Sequence, residues 1–292
     1  MSDVIISPST RRFAAERGVD IDALAKRLGR TTLTRDDILA AGTTAPQSAA
    51  SSLWDVDHAA WGPVREEPLT KLAQRSASNL LAAHSLIPAV THHDSADVTR
   101  IEALRASLRS EGRKITALAF HVAVLARCLR EFPRFNASLS AAGDRLILKS
   151  YIHIGIAVDT PYGLVVPVLR DADQKRVGQI SDEIADLAKR AQARKLRPTE
   201  MGGGSMSISN LGGIGGEAFT PIINPPELAI LGLTRTEVRP VWDGTAFLPR
   251  PKVPLDLSYD HRVINGADAA RSIARYRDLI ANPDELLTLP QR

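Results

Sequence analysis

Apolar residues recur along this chain with two different periods. Ile180, Ile184, Leu187 and Ala191 fall three and four residues apart within 177–194, the stripe of an amphipathic helix. Residues 69–84, 98–109 and 267–280 also read as helices. The run 116–130 is so apolar that it predicts a buried helix, stopped at Phe132-Pro133. Pro254-Leu255-Asp256-Leu257-Ser258-Tyr259 alternates instead, as a strand with two unlike faces does. Further strands are predicted over 87–91, 146–148, 152–158, 205–211 and 228–233, with glycines and prolines between them. Strands interleaved with helices make the fold class α/β.

The first forty residues follow a separate pattern. Ser7-Pro8 opens a helix with a capping residue and a proline in its first turn, Phe13 and Ala14 give it an apolar face, and Gly18 ends it. Thr34 caps a second helix whose first turn holds Asp36 and Asp37. Residues 42–53 are Thr, Ala, Pro, Gln and Ser without periodicity, a linker. The expected organisation is a small helical domain over 4–41, the linker, and a large domain over 54–292.

Composition narrows the function classes. Hydrophobic residues make up 44% and charged residues 24% of the 292, as in an ordinary globular protein. The formal charge is only +4, with Lys and Arg spread along the chain, so nucleic acid is not the expected partner. Cys128 is the one cysteine and lies in an apolar run, which predicts a core residue and excludes a cysteine-rich metal site. His92-His93-Asp94 suggests a metal only until the strand period is applied, because adjacent side chains on a strand face opposite ways. No metal is expected. With no signal peptide or membrane-length apolar run in view, no membrane partner is expected and a cytoplasmic location is the default.

The segment Asp260-His261-Arg262-Val263-Ile264-Asn265-Gly266 sets a histidine between a predicted strand and a predicted helix, a rigid frame for a side chain that does chemistry. It resembles the His-x-x-x-Asp-Gly motif of the dihydrolipoamide acyltransferases, the E2 components of 2-oxoacid dehydrogenase complexes, which chloramphenicol acetyltransferases share. Gly203 to Gly216, then Ala218-Phe219-Thr220-Pro221-Ile222-Ile223-Asn224-Pro225-Pro226-Glu227, is similar to the family's most recognisable segment. Ile154 to Val168 matches a third. The resemblance covers roughly residues 54 to 292 and leans towards the bacterial pyruvate-type E2.

The family implies a chloramphenicol-acetyltransferase-like mixed sheet with helices on one side, built into a homotrimer with active sites between subunits. It implies coenzyme A or acetyl-CoA as substrate. His261 takes the role of general base. Ser209, contributed by the neighbouring subunit, takes that of oxyanion donor. Asn265 stands where the family more often has Asp, and is expected to orient the site through a hydrogen bond. Asn210, Leu211, Gly212, Gly213, Gly215 and Gly216 are expected to line the coenzyme A channel. The glycine stretches lack the Gly-Lys-Ser/Thr ending of a nucleotide P-loop.

Residues 4–41 resemble the family's peripheral-subunit-binding domain through Ser7-Pro8, Arg11-Arg12 and Gly18-Val19-Asp20. The loop Lys26 to Leu33 departs from it, lacking most of the family's glycines and carrying Thr32 in place of an arginine. Only weak contact with dehydrogenase subunits is therefore expected. The small domain begins by Ser7, so no lipoyl domain and no covalent lipoate are expected on this chain.

The acceptor is open. A thiol near pKa ~8.5 and an imidazole near ~6.5 differ by about 2 units, roughly 2.7 kcal/mol, a tolerable proton transfer. A hydroxyl, near the ~15.7 of water, has to lose its proton as it attacks. The absence of a lipoyl domain and the altered small domain point to a free-standing O-acetyltransferase acting on a small molecule, as in tetronate-type natural-product pathways. The alternative is an E2 acetyltransferase of a pyruvate dehydrogenase-type complex, served by a dihydrolipoyl group on another polypeptide. A non-catalytic scaffold subunit is disfavoured because His261 and Ser209 are both present. The end of the chain, Leu286 to Arg292, carries Pro290 and a terminal charge, and predicts a trimer that builds no larger core.

Overall fold

The computed structural model describes residues 4–16, 19–42 and 56–287. Gly18, Trp54, the linker from residue 43 and the tail from residue 288 lie outside the described residues. Contacts divide the chain into two compact units, Met1–Pro68 and Leu69–Arg292.

The first unit holds three helices, α1 (Pro8–Glu16), α2 (Ile21–Leu28) and α3 (Arg35–Gly42). Ser7 Oγ accepts from Thr10 N, and Thr34 Oγ1 from Asp37 N, so the two sequence-expected starts are in place. The middle helix is new. Its signals were present: Asp20 caps it by accepting from Asp22 N and Ala23 N, Ile21, Leu24, Ala25 and Leu28 share a face, and Gly29 ends it at φ 64°. Leu24, Ala25, Leu33, Ile38 and Ala14 form the buried core.

The second unit is built on one mixed sheet. Its helices are α4 (Lys71–Leu86), α5 (Thr99–Ser110), α6 (Ala117–Glu131), α7 (Val177–Gln192), α8 (Gly266–Ala281) and α9 (Asp284–Leu287). Its strands are β1 (Ala89–Asp97), β4 (Ile154–Ile156), β5 (Val168–Leu169), β6 (Met206–Asn210), β7 (Ala229–Leu233), β8 (Glu237–Trp242) and β9 (Phe247–Asp260), and a hairpin of β2 (Ala137–Leu139) and β3 (Leu146–Leu148) stands apart. The sheet order is β1-β9-β7-β6-β4-β5, with β8 on β9. β6 is parallel to both its neighbours, whereas β9 is antiparallel to β1, β7 and β8.

Strand β9 is far longer than the expected 255–259. Its first half pairs with β8, whose strand pattern Pro240 interrupts, a residue a strand tolerates at an edge. Strand β1 likewise runs on through His92 to Asp97.

Alternation decides the two faces. Leu255, Leu257 and Tyr259 of β9 join Met206 and Ile208 of β6 and Ala229, Leu231 and Leu233 of β7 in one core with Phe120, Ile180, Ile273 and Leu279 of the helices. Each large apolar side chain so buried contributes about 1.5–3 kcal/mol. The residues between them, Ser207, Ser209, Ile230, Gly232, Asp256, Ser258 and Asp260, point to the other face.

Candidate active site

The histidine of the family motif sits at the end of β9. Asp260 is 1% exposed, and its carboxylate accepts from Arg262 N at 3.0 Å and Nη2 at 2.6 Å. Its carbonyl accepts from Val263 N and Ile264 N, and Ile264 is fully buried. His261 donates its backbone N–H to Pro88 O at 3.1 Å. The backbone is thus pinned on both sides while the His261 ring stays exposed, 5.8 Å from the ring of Tyr259. Neither ring nitrogen has a hydrogen-bond partner among the described residues.

Asn265 does something other than the expected orienting bond. It adopts extended backbone at φ −87° and ψ 162°, and its Oδ1 accepts from Asp268 N at 2.8 Å, capping α8. Among the described residues His261 and Asn265 share no hydrogen bond. The geometry of the turn gives the amide oxygen to the helix, and Nδ2 has no partner among the described residues.

Ser209 is half-buried on β6, and its hydroxyl has no partner among the described residues. Beyond it, Asn210 Oδ1 accepts from Gly212 N at 2.9 Å, and Leu211 O accepts from Ile214 N and Gly215 N. The chain then turns through Gly216 at φ 90°, a left-handed conformation suited to glycine. Asn210 to Gly216, Gly213 included, thus form one tight turn at the end of β6, with Arg235 Nη2 donating to Ile214 O.

The two halves are apart within one chain. Ser209 pairs with Gly232 and Gly232 with Asp256, five residues before His261. At about 3.3 Å per residue and 4.8 Å per strand, their Cα atoms are roughly 19 Å apart, beyond any shared contact with one reacting carbonyl.

Three groups on this face carry contacts to which the sequence assigned no role in the site. His93 Nδ1 lies 2.6 Å from Asp256 Oδ1, while Asp256 Oδ2 accepts from Phe219 N. Glu227 is 4% exposed. Its Oε1 accepts from Ser207 Oγ at 3.0 Å, its Oε2 has no partner among the described residues, and burial pushes the carboxyl up to about 7. Asp260 and Arg262, on either side of His261, join Glu227, Asn224, Leu139 and Ala83 around a cavity of about 610 Å³. The signal for the first two was the strand alternation itself, which places Asp256 and Ser207 on the face opposite the leucines.

Cys128 is buried and its thiol is pushed up to about 12 by burial, as suits the expected core role. Among the described residues no cluster of histidine, cysteine and carboxylates has metal-ligand geometry. Among the described residues no helix is long and apolar enough to cross a membrane.

A family model for the 2-oxoacid dehydrogenases acyltransferase (catalytic domain) matches residues 62–288. The chain belongs to this family. Its large unit is an E2-type acyltransferase domain. The chain is 44% identical over 298 residues to the dihydrolipoyllysine-residue acetyltransferase component of the pyruvate dehydrogenase complex of Cupriavidus necator, covering 94% of this chain and 54% of that protein. It is also 44% identical to the corresponding Azotobacter vinelandii component, covering 94% and 46%. The chain spans about half the length of these curated relatives. The crystal structure of the Azotobacter vinelandii dihydrolipoamide acetyltransferase superposes with a TM-score of 0.78 at 48% identity, covering 80% of this chain and 98% of that one. Crystallographic and enzymatic work on that protein addressed the role of a serine, a histidine and an asparagine in its catalytic mechanism. The cubic core of a pyruvate dehydrogenase multienzyme complex gives 0.77 and 48%, with the same coverage.

Proposed function

We propose that this chain is the acetyltransferase core of a pyruvate dehydrogenase-type E2, moving acetyl groups between coenzyme A and a dihydrolipoyl thiol carried on another domain. The observation that carries the reading is the constellation Ser209, His261 and Asn265. Its residue types and both of its spacings are those of the serine, histidine and asparagine studied in the Azotobacter enzyme. This reverses the order of the two sequence-based expectations: the curated relatives are dihydrolipoyllysine acetyltransferases, and none of those described above is a biosynthetic O-acetyltransferase.

In this reading His261 takes the thiol proton of the attacking group as the tetrahedral intermediate forms, and Ser209 Oγ donates to the developing oxyanion. Ser209 is not acylated. Asn265 holds the start of α8, and with it the turn that carries His261. The turn from Asn210 to Gly216 lines the coenzyme A channel.

Separation of Ser209 and His261 within one chain makes the active unit an oligomer, and the family trimer is the assembly we assign. Val238, Trp242 and Phe247 of the β8–β9 hairpin are 70%, 56% and 68% exposed, and Leu81 and Leu86 of α4 are exposed as well, surface that an assembly has reason to cover. The expectation of a trimer without a larger core rested on the tail from Leu286 to Arg292, of which residues 288–292 lie outside the described residues. The relatives instead include a cubic core.

Acetyl-CoA turnover by the purified chain, with dihydrolipoamide and with a panel of hydroxyl acceptors, tests the proposal. Turnover with the dithiol and none with the alcohols is the expected result. The reverse order of reactivity restores the O-acetyltransferase reading.

A further inference from the structure

The register of the sheet sets Ser209, Gly232, Asp256 and His93 in one row across β6, β7, β9 and β1. Residues paired across strands share a face, so Ser209 and the His93–Asp256 pair look out on the same side. The row is continuous because Gly232 is a glycine: a Cβ there would lie 2.6 Å from the Phe219 ring and 3.1 Å from Asp256 Cβ. The Phe219 ring therefore lies over Gly232, between the serine and the pair.

Asp256 is 1% exposed, and both its oxygens are used, Oδ1 by His93 and Oδ2 by Phe219 N–H. The His93 side chain is 52% exposed. A carboxylate only accepts, so His93 Nδ1 is the donor in the 2.6 Å bond, and that fixes the tautomer. The neutral ring then presents Nε2 outward as a hydrogen-bond acceptor in a held orientation. A half-exposed imidazole anchored on a buried carboxylate is more than a solvated strand residue.

We propose that His93, oriented by Asp256, is a positioning residue that accepts a hydrogen bond from an amide N–H on the thiol arm of a substrate whose thioester reacts at Ser209. This rests on the acyltransferase reading above. Three strand spacings put the His93 Cα about 14 Å from that of Ser209. Both thiol arms of that reaction carry an amide at a suitable remove. The lipoyl amide nitrogen and the second amide nitrogen of the pantetheine arm are each seven bonds or slightly more from a sulfur, about 9 Å when extended. Adding the contacts at either end reaches His93 Nε2 across the apolar floor of Phe219. The chemistry recognised is the shared one, an amide N–H on an extended thiol chain.

The experiment compares KM and kcat for dihydrolipoamide and for methyl dihydrolipoate, which lacks the N–H, at fixed acetyl-CoA, and then KM for acetyl-CoA at fixed dithiol. The wild-type chain is expected to show a KM about 10-fold lower for the amide than for the ester if the lipoyl arm is the one bound. His93→Phe brings the two together by raising the amide KM alone, with kcat held. His93→Gln, which keeps a donor for Asp256 and an outward carbonyl, restores part of the preference. Asp256→Asn, isosteric, donates to Nδ1, moves the ring proton to Nε2 and abolishes the preference while the packing stays. A rise confined to the acetyl-CoA KM in the His93 and Asp256 variants assigns the bond to the pantetheine arm. Unchanged KM values for all substrates in folded His93→Phe overturn the proposal. Should the wild-type chain turn over neither dithiol, the acyltransferase reading falls on its own. Calorimetric affinities of the same amide and ester, and of coenzyme A, for the wild-type chain and His93→Phe then test the hydrogen bond, and equal affinities in the two proteins overturn it.

Discussion

Ile208 and Ser209 are neighbours on β6 and face opposite ways, and the contrast between them runs the length of the sheet. On the side of Ile208 the central strands present mostly Leu, Ile, Val, Met, Ala and Tyr, closed over by helices α5 to α8, while β1 adds His92 and Asp94 at the sheet edge. On the side of Ser209 they are mostly Gly, Ser, Thr, Asp and His, with Ile230 among them packed on Ile87 and Ile223. Many of these are just as buried: Ser207 and Ser258 are fully covered, and Asp256 and Asp260 are 1% exposed. Burial alone does not separate the two faces. What separates them is how each side chain is satisfied. The first face is held by non-directional apolar contact. The second is held by single hydrogen bonds that each require one partner, such as Thr91 Oγ1 to Ser258 Oγ at 2.7 Å and Ser207 to Glu227. A stable scaffold and a chemically equipped surface are thereby made from alternate residues of the same strands.

The largest effect expected on the second face is at its end. His261→Ala removes the base, and acetyl transfer to dihydrolipoamide should fall by about 10²–10⁴-fold with the circular dichroism spectrum unchanged. Undiminished turnover would remove His261 from the reaction. Ser209→Ala should lower kcat by on the order of 10²-fold or more with little change in the unfolding midpoint. A near-wild-type rate takes Ser209 out of the site.

The first face answers in the opposite currency. Ile208 is fully buried, so Ile208→Ala opens a cavity and should destabilise by about 2–5 kcal/mol in urea unfolding, with kcat per folded molecule nearly kept. If instead Ile208→Ala loses rate without losing stability, or Ser209→Ala does the reverse, the division of labour between the faces is wrong.

Much of this was legible in the sequence, for identifiable reasons. Helices α6 and α7 stand out because their apolar positions repeat over four turns. The alternation of Leu255 to Asp260 gave both the strand and its two faces. The motif around His261 and the turn after Ser209 carry enough specific residues to name a family. What was not legible depends on partners distant in sequence. His93 reads as one of two adjacent histidines until Asp256, 163 residues on, is placed opposite it. Asn265 reads as a partner for His261 until the start of α8 claims its oxygen. Strand β8 is hidden by Pro240, and α2 by its shortness, although Asp20 and Gly29 mark both its ends.

The smallest effect expected is a pH dependence, and it comes from Glu227, a buried carboxyl of the second face whose second oxygen has no partner among the described residues. Glu227 is held at the crossing of β6 with the Asn224 to Glu227 loop, and its neighbours leave no slack. A Cβ on Gly204 would lie 2.6 Å from its Oε1, and one on Gly155 would lie 2.2 Å from the Oγ of Ser207, its donor. Burial raises its pKa from 4.5 to about 7 against the lowering effect of Ser207, Asn224 and Lys149. A folded-state pKa above the unfolded value means that the protonated form favours the fold. The contribution is complete below about pH 4.5 and is lost as pH rises through 7. The shift corresponds to at most about 3 kcal/mol. Glu227→Gln keeps the shape and abolishes the titration, and the amide can still accept from Ser207 Oγ through its oxygen. The difference in unfolding free energy between Glu227→Gln and wild type should therefore grow in favour of the variant between pH 5 and 8 and level off above that range. A difference that stays flat with pH would mean that the unpartnered oxygen is satisfied in the assembled protein, and that the second face is as fully paired as the first is packed.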